Sequence, residues 1–332
     1  MFEDKPLAFS ATGSSESASL VSATSRLPFT TKDGSATLNV ELFNEEFHTG
    51  PILLCIHGVC ESAETLGIQA LVSAAKSNNV RVAVLECEGH GLSSGKRGVC
   101  INFDRLVRHS CEFVSHVLSH FQQNAGEDEI PYALCGSSMG GVLSIYTADK
   151  ISKDTTQTVA TSDPNFLPFP GRFIGLVPIC PAVGVDSAAV PDCLTVSALS
   201  CLAYMAPAAT IPLTPLEDPT HYNCPPETNR NYSGHWPLST SKMLLDVTSQ
   251  RVPNDLSNGQ LSLSRVPSLL VIAGEKDLIV PYESVSTFYE EVLPEEKKCI
   301  VIPNAGHDLL FHRSSSNTAT SEIFSWIASI LK

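Results

Sequence analysis

The chain has 332 residues, 43% hydrophobic and 17% charged, which is enough apolar mass for one large α/β domain or two ordinary ones and excludes disorder throughout. A net charge of −14 repels nucleic-acid phosphates over most of the surface, so nucleic-acid binding is excluded as a class. The eleven cysteines form no C-x-x-C pair, which argues against a zinc ribbon or a thioredoxin-type site.

Residues 1–18 are rich in Ser, Ala and Gly with no period of 2 or 3.6, and read as a loosely ordered lead-in. Met1 to Lys5 is acidic and lacks the basic and apolar regions of a signal peptide, so a cytoplasmic location is expected. Two β-like runs follow, Leu20 to Thr30 and Ala36 to Phe43, around an Asp33-Gly34 step that signals a hairpin and an antiparallel lead into a sheet. From Pro51 the pattern becomes apolar runs separated by helix-length segments: Ile52 to Ile56, Val80 to Leu85, Tyr132 to Cys135, Phe173 to Ile179, Ser268 to Ile272 and Cys299 to Ile302. Runs apolar on both faces are what parallel strands covered by helices require, so a doubly wound α/β sheet is expected. Cys55, Cys87, Cys135, Cys180 and Cys299 lie in or beside these runs as small hydrophobes.

Between two of the runs, Phe103, Leu106, Val107, Cys111, Val114, Leu118 and Phe121 recur at spacings of 3 and 4 and define one helical stripe. His109, His116 and His120 fall mostly off it and are expected at the surface. Ile151 to Gly171 is polar and Pro-containing and reads as a surface loop. From about residue 182 to 264 the βα rhythm stops and prolines and aromatics accumulate, so a core of 19–181 and 265–332 with an inserted cap at 182–264 is expected. Within the cap, Cys193 to Leu216 carries no charge; Pro207, Pro212 and Pro215 argue against a span and for a wall over an apolar pocket or an interfacial helix.

Tyr132 to Gly141 reads as strand, sharp turn and helix start, with Ser138 at the apex and small residues, Gly136 and Gly140, two positions to either side. A serine hydroxyl needs a base and oxyanion donors to act as a nucleophile. The base is His307, after the strand ending at Ile302, and the orienting acid is Asp277, after the strand ending near Gly274, with Glu275 and Asp308 as competing carboxylates. The oxyanion donors are the N–H groups of Met139 and Val59; Gly58 lets the early loop approach, and His57 buttresses that loop rather than titrating.

These blocks, His57-Gly58-Val59-Cys60-Glu61-Ser62, Glu88-Gly89-His90-Gly91-Leu92-Ser93, Gly136 to Gly141, Gly274 to Asp277 and Ala305 to His307, resemble the α/β-hydrolase superfamily and, within it, the monoacylglycerol lipase-like serine hydrolases, over about residues 36 to 332. The resemblance implies a mostly parallel twisted sheet with helices on both faces, a cap over an acyl tunnel, and cleavage of the ester of a monoglyceride or lysophospholipid. It also implies no cofactor, no metal and cap contact with membranes, with Glu61 supporting the oxyanion loop and cap residues such as Leu199, Leu202 and Met205 meeting the substrate. Esterase, thioesterase or acyltransferase action on smaller substrates is the alternative, followed by a non-catalytic scaffold. Two departures stand out: Glu86-Cys87-Glu88 where an aspartate usually precedes G-H-G, and Cys60 where glycine is common.

Overall fold

The computed structural model describes residues 21–125, 129–154, 167–186, 190–211 and 236–331. The lead-in therefore lies outside the described residues, as do Leu20 and the segment 212–216 of the uncharged stretch.

The chain opens with β1 (Ser25–Arg26), β2 (Phe29–Thr30) and β3 (Thr37–Phe43), then β4 (Ile52–Ile56), α1 (Leu66–Ser77), β5 (Arg81–Glu86) and α2 (Phe103–Ala125). It continues through β6 (Pro131–Ser137), α3 (Met139–Asp154) and β7 (Arg172–Ile179). The stretch before β10 (Ser268–Gly274) carries α4 (Cys193–Met205), the short strands β8 (Thr210–Ile211) and β9 (Trp236–Pro237), α5 (Leu238–Asp246), a π-helical turn (Val247–Arg251) and α6 (Val252–Ser257). The chain closes with α7 (Tyr282–Glu291), β11 (Glu296–Ile302) and α8 (Arg313–Ile330).

Among the described residues the main sheet runs β1-β3-β5-β4-β6-β7-β10-β11, with β2 paired to β3. β3 is antiparallel to β5, and every pairing from β5 to β11 is parallel. Strict alternation of side chains splits each central strand between two cores. Leu54, Leu134 and Val271 pack with Val114, Leu118, Val142 and Ile145 of α2 and α3 on one face. Leu53, Cys55, Ala133 and Ile272 pack with Leu71, Val72, Ile323 and Phe324 of α1 and α8 on the other. Each Val, Leu, Ile or Phe among them contributes about 1.5–3 kcal/mol on leaving water, and both faces must be apolar to collect it. Parallel strands all point their C-terminal ends to one edge, and that edge is where β4, β6, β10 and β11 deliver their loops.

Three expectations are corrected. The run from Leu20 to Thr30 is not one strand, because only Ser25–Arg26 and Phe29–Thr30 pair with β3. α3 continues to Asp154, so the surface loop after it starts later than Ile151, and residues 155–166 lie outside the described set. His109 is buried rather than solvated, and His116 and His120 are half-buried. The cause is the N-terminal hairpin, which lies across the back of α2. Phe29 stacks on His116 at 4.9 Å, the Lys32 N–H donates to Glu112 at 2.8 Å, and Arg108 pairs with Asp33 at 3.8 Å.

The segment between β7 and β10 is fastened unevenly. Thr240 Oγ1 donates to the Gly98 carbonyl at 2.6 Å and accepts from the Cys100 N–H at 2.8 Å, and Tyr146 on α3 donates to Asp255 on α6 at 2.8 Å. α4 begins on an Asp192 cap that accepts from the Leu194 and Thr195 N–H groups, but along its length only Ala203 is buried. No helix among the described residues is long and apolar enough to cross a membrane.

Candidate active site

Ser138 stands between the last residue of β6 and the first of α3 with φ 52, a left-handed conformation that a side chain adopts only under constraint. The constraint is visible in the backbone. The Ser138 N–H donates to the Ile179 carbonyl at 3.0 Å, while its carbonyl accepts from Ala182 at 3.0 Å and from Val142 at 3.2 Å. The turn is so tight that a Cβ on Gly136 would land on the Gly140 carbonyl, and one on Gly140 on the Ile56 carbonyl. Both positions therefore require glycine.

His307 and Asp277 arrive from the two neighbouring strand ends. Ser138 Oγ lies 2.9 Å from His307 Nε2, and His307 Nδ1 lies 2.7 Å from Asp277 Oδ2. The other carboxylate oxygen, Oδ1, accepts from the N–H groups of Ile279 at 2.9 Å and Val280 at 2.8 Å, which orients the whole group. Asp277 and His307 are only 7% and 6% exposed, so these hydrogen bonds act with little competition from water. Glu275, a competing acid in the sequence, accepts from the Asn304 N–H at 2.8 Å and ties the two loops together instead. Among the described residues Asp308 Oδ2 is buried with no partner, and Asp277 is the carboxylate that meets the imidazole.

The loop after β4 is held by three buried groups. His57 Nε2 accepts from the Cys87 N–H at 3.1 Å and Nδ1 donates to the Gly58 carbonyl at 2.7 Å. A backbone N–H aimed at one nitrogen fixes the neutral tautomer, and complete burial pushes His57 down to about 4. His90 repeats the pattern: Nε2 accepts from the Cys60 N–H at 3.1 Å, Nδ1 donates to the Glu88 carbonyl at 3.0 Å, and burial lowers it to about 3. Glu61 accepts from the Gly58 N–H at 3.0 Å, and burial raises it to about 7. Val59 and Met139 follow Gly58 and Ser138, both are buried, and among the described residues neither N–H meets a protein acceptor.

The sequence motifs leave His90 and Glu86 without a role, and the structure makes both of them loop anchors. Glu86 accepts from Ala63 at 3.2 Å, Leu92 at 2.6 Å and the Asn39 amide at 3.0 Å, so it ties down both loops beside the site. Cys60 has φ 59, which explains why glycine is common there, and its side chain is buried. The cap positions stand apart from this cluster. Leu199 is half-buried, while Leu202 and Met205 are 48% and 70% exposed on α4.

A serine, a tautomer-fixed imidazole and a carboxylate at three strand ends, beside unpartnered N–H groups, can take a proton from a hydroxyl and stabilise an oxyanion. With the parallel sheet and the turn at Ser138, they define an α/β-hydrolase of the serine hydrolase kind. The Hydrolase_4 family, described as serine aminopeptidase, S33, matches residues 48–314, and the chain belongs to it. Among solved structures, the chain is similar to a soluble variant of monoglyceride lipase from Saccharomyces cerevisiae in complex with a substrate analog, at 17% identity and TM-score 0.68, covering 95% of this chain and 97% of that one. It is similar to the Paleococcus ferrophilus monoacylglycerol lipase at 18% identity and TM-score 0.61, covering 88% and 98%. It is also similar to Est1E from Butyrivibrio proteoclasticus, bound to ferulic acid, at 16% identity and TM-score 0.57, covering 92% and 99%. At these identities the likeness is one of fold. No curated protein matches the chain.

Proposed function

We propose that this hydrolase cleaves the carboxylic ester of a lipid with one long acyl chain, a monoacylglycerol or lysophospholipid, through an acyl-enzyme on Ser138. The observation that carries the reading is His307, which bridges Ser138 Oγ at 2.9 Å and Asp277 Oδ2 at 2.7 Å. His307 Nε2 takes the serine proton as Oγ attacks the ester carbon, and returns it to the leaving alcohol. Asp277 keeps the Nδ1–H tautomer and stabilises the imidazolium. The Val59 and Met139 N–H groups receive the oxyanion, and water then repeats the cycle on the acyl-serine.

The lipid preference rests on α4. Leu194, Leu202, Tyr204 and Met205 expose large apolar surface on one short helix of an otherwise acidic protein, which suits contact with a lipid aggregate from which substrate is drawn. The test is fluorophosphonate labelling followed by a substrate panel of monoglycerides, lysophospholipids, short p-nitrophenyl esters, acyl-CoA and an aminoacyl anilide. Labelling confined to Ser138 and a highest kcat/KM on the long-chain lipids are expected. No labelling removes the nucleophile, and preference for the anilide replaces the ester with an amide.

A further inference from the structure

We propose that Cys180, Asp277 and His307 together bind a thiophilic divalent cation, for which zinc is the probe, and that occupancy turns the hydrolase off. The proposal rests on the reading of His307 as the base for Ser138.

Cys180 is the first residue after β7 and has φ 40, which bends the chain sharply there. Its N–H donates to the Ile272 carbonyl of β10 at 2.8 Å, drawing the end of β7 against the strand that leads to Asp277. The side chain is completely buried. One ligand atom from each of Cys180, Asp277 and His307 lies within 4.8 Å of the others, with all three residues buried. Tetrahedral zinc, at about 2.0–2.3 Å from nitrogen, oxygen and sulfur, needs donors about 3.3–3.8 Å apart. To seat the ion, the 2.7 Å separation of His307 Nδ1 and Asp277 Oδ2 has to lengthen by about 0.6 Å.

The chemistry of the donors selects the ion. Thiolate, imidazole and carboxylate suit zinc and disfavour magnesium and calcium, which require oxygen donors. One thiolate and one carboxylate neutralise a dication, so the loaded site carries no net charge in a place that tolerates none unpaired. Binding releases the thiol proton of Cys180 to solvent. The metal takes the Nδ1 lone pair, so the proton of Nδ1 moves to Nε2 through water. The net change is one proton released per metal bound, with no change of oxidation state. An imidazole with a proton on Nε2 cannot accept the hydroxyl proton of Ser138, and turnover stops while the fold is untouched.

The experiment titrates the purified full chain with zinc and measures ester turnover, each variant normalised to its own metal-free rate. Wild type is expected to lose activity and recover it on addition of a chelator. Cys180→Ala, with Cys180→Ser as the volume-preserving alternative should alanine disturb folding, is expected to raise the half-inhibitory zinc concentration at least ~10-fold, the scale on which even outer-shell losses affect metal sites. Cobalt(II) gives a second readout: one equivalent should produce a thiolate-to-metal charge-transfer band in wild type that the Cys180 variant lacks. Equal zinc sensitivity in wild type and variant, or equal cobalt spectra, overturns the proposal. A chain that binds cobalt through Cys180 but neither labels with fluorophosphonate nor turns over ester keeps the metal site and loses the reading of Ser138.

Discussion

At the ends of β6 and β10 the functional groups are fixed by backbone partners, Ser138 through Ile179 and Ala182 and Asp277 through Ile279 and Val280, and these two side chains hold His307 between them. α4 is the opposite case, with Ala203 buried and Leu194, Tyr204 and Met205 between 70% and 90% exposed. The difference shows where the chain commits its packing. Proton transfer tolerates little misplacement of Ser138 against His307, so that edge of the sheet is over-determined by glycine contacts, buried histidines and strand ends. α4 exposes apolar area with little anchoring, which suits the proposed contact with an acyl lipid, where area matters more than aligned atoms.

The strongest way to break this contrast is at the nucleophile. Ser138→Ala and His307→Ala are expected to lower kcat by on the order of 10⁶, and Asp277→Asn by on the order of 10⁴ because it offers the wrong partner to Nδ1. Melting curves and ester kinetics on the same preparations check this. The expected pattern is loss of turnover with the melting temperature of Ser138→Ala near wild type, since alanine keeps the backbone turn and loses only Oγ. A Ser138→Ala protein that unfolds would show that the turn depends on the hydroxyl rather than on the surrounding strands.

A smaller effect tests the loop supports through pH. His57 and His90 are held neutral by burial, at about 4 and about 3 in the fold against 6.5 when exposed. Folded values below unfolded ones mean that the unfolded chain takes up protons first as pH falls. The stability these two histidines contribute is complete above about 6.5 and declines below it, at about 1.4 kcal/mol per pH unit for each. Glu61 works against them: its folded value of about 7 lies above 4.5, so the fold retains a proton there and gains stability as pH falls from about 7 to 4.5. Between 4.5 and 6.5 the three groups together leave a net slope of about 1.4 kcal/mol per unit. Glu61→Gln removes the opposing proton and is expected to double that slope in urea denaturation at pH 5 to 6.5. An unchanged slope would mean that Glu61 is ionised in the fold.

Much of this edge was legible in the sequence because the physical demands on it are local. Strands buried on both faces leave unbroken apolar runs, and a turn that admits no Cβ leaves Gly136 and Gly140 around Ser138. Burial of His109 was illegible because periodicity along α2 reports one stripe, whereas the hairpin from Phe29 to Ala36 covers a second side of the same helix. Cys180 looked like core filler for a similar reason. Its neighbours Asp277 and His307 come from β10 and β11, and only the strand order β7-β10-β11 brings them to it. Glu86 stands where an aspartate is usual, and its carboxylate accepts from the Ala63 and Leu92 N–H groups of the two loops beside the site, a pairing no local sequence pattern announces.

The mildest perturbation sharpens the contrast from the side of α4. Replacing Leu194, Leu202, Tyr204 and Met205 together by serine or asparagine removes exposed apolar surface without opening a cavity, because none of the four is buried. Surface changes of this kind alter stability by about 0.5 kcal/mol or less each, and the melting temperature should barely move. If α4 is where the enzyme meets a lipid aggregate, kcat/KM on emulsified long-chain monoglyceride should fall ~10-fold, as expected when about 1.4 kcal/mol of interfacial binding is lost. A soluble short-chain p-nitrophenyl ester has no aggregate to leave, so its kcat/KM should stay within about twofold of wild type. Equal losses on both substrates would instead tie α4 to the geometry at Ser138, and the division between a fixed reaction centre and a loosely held lipid surface would fail.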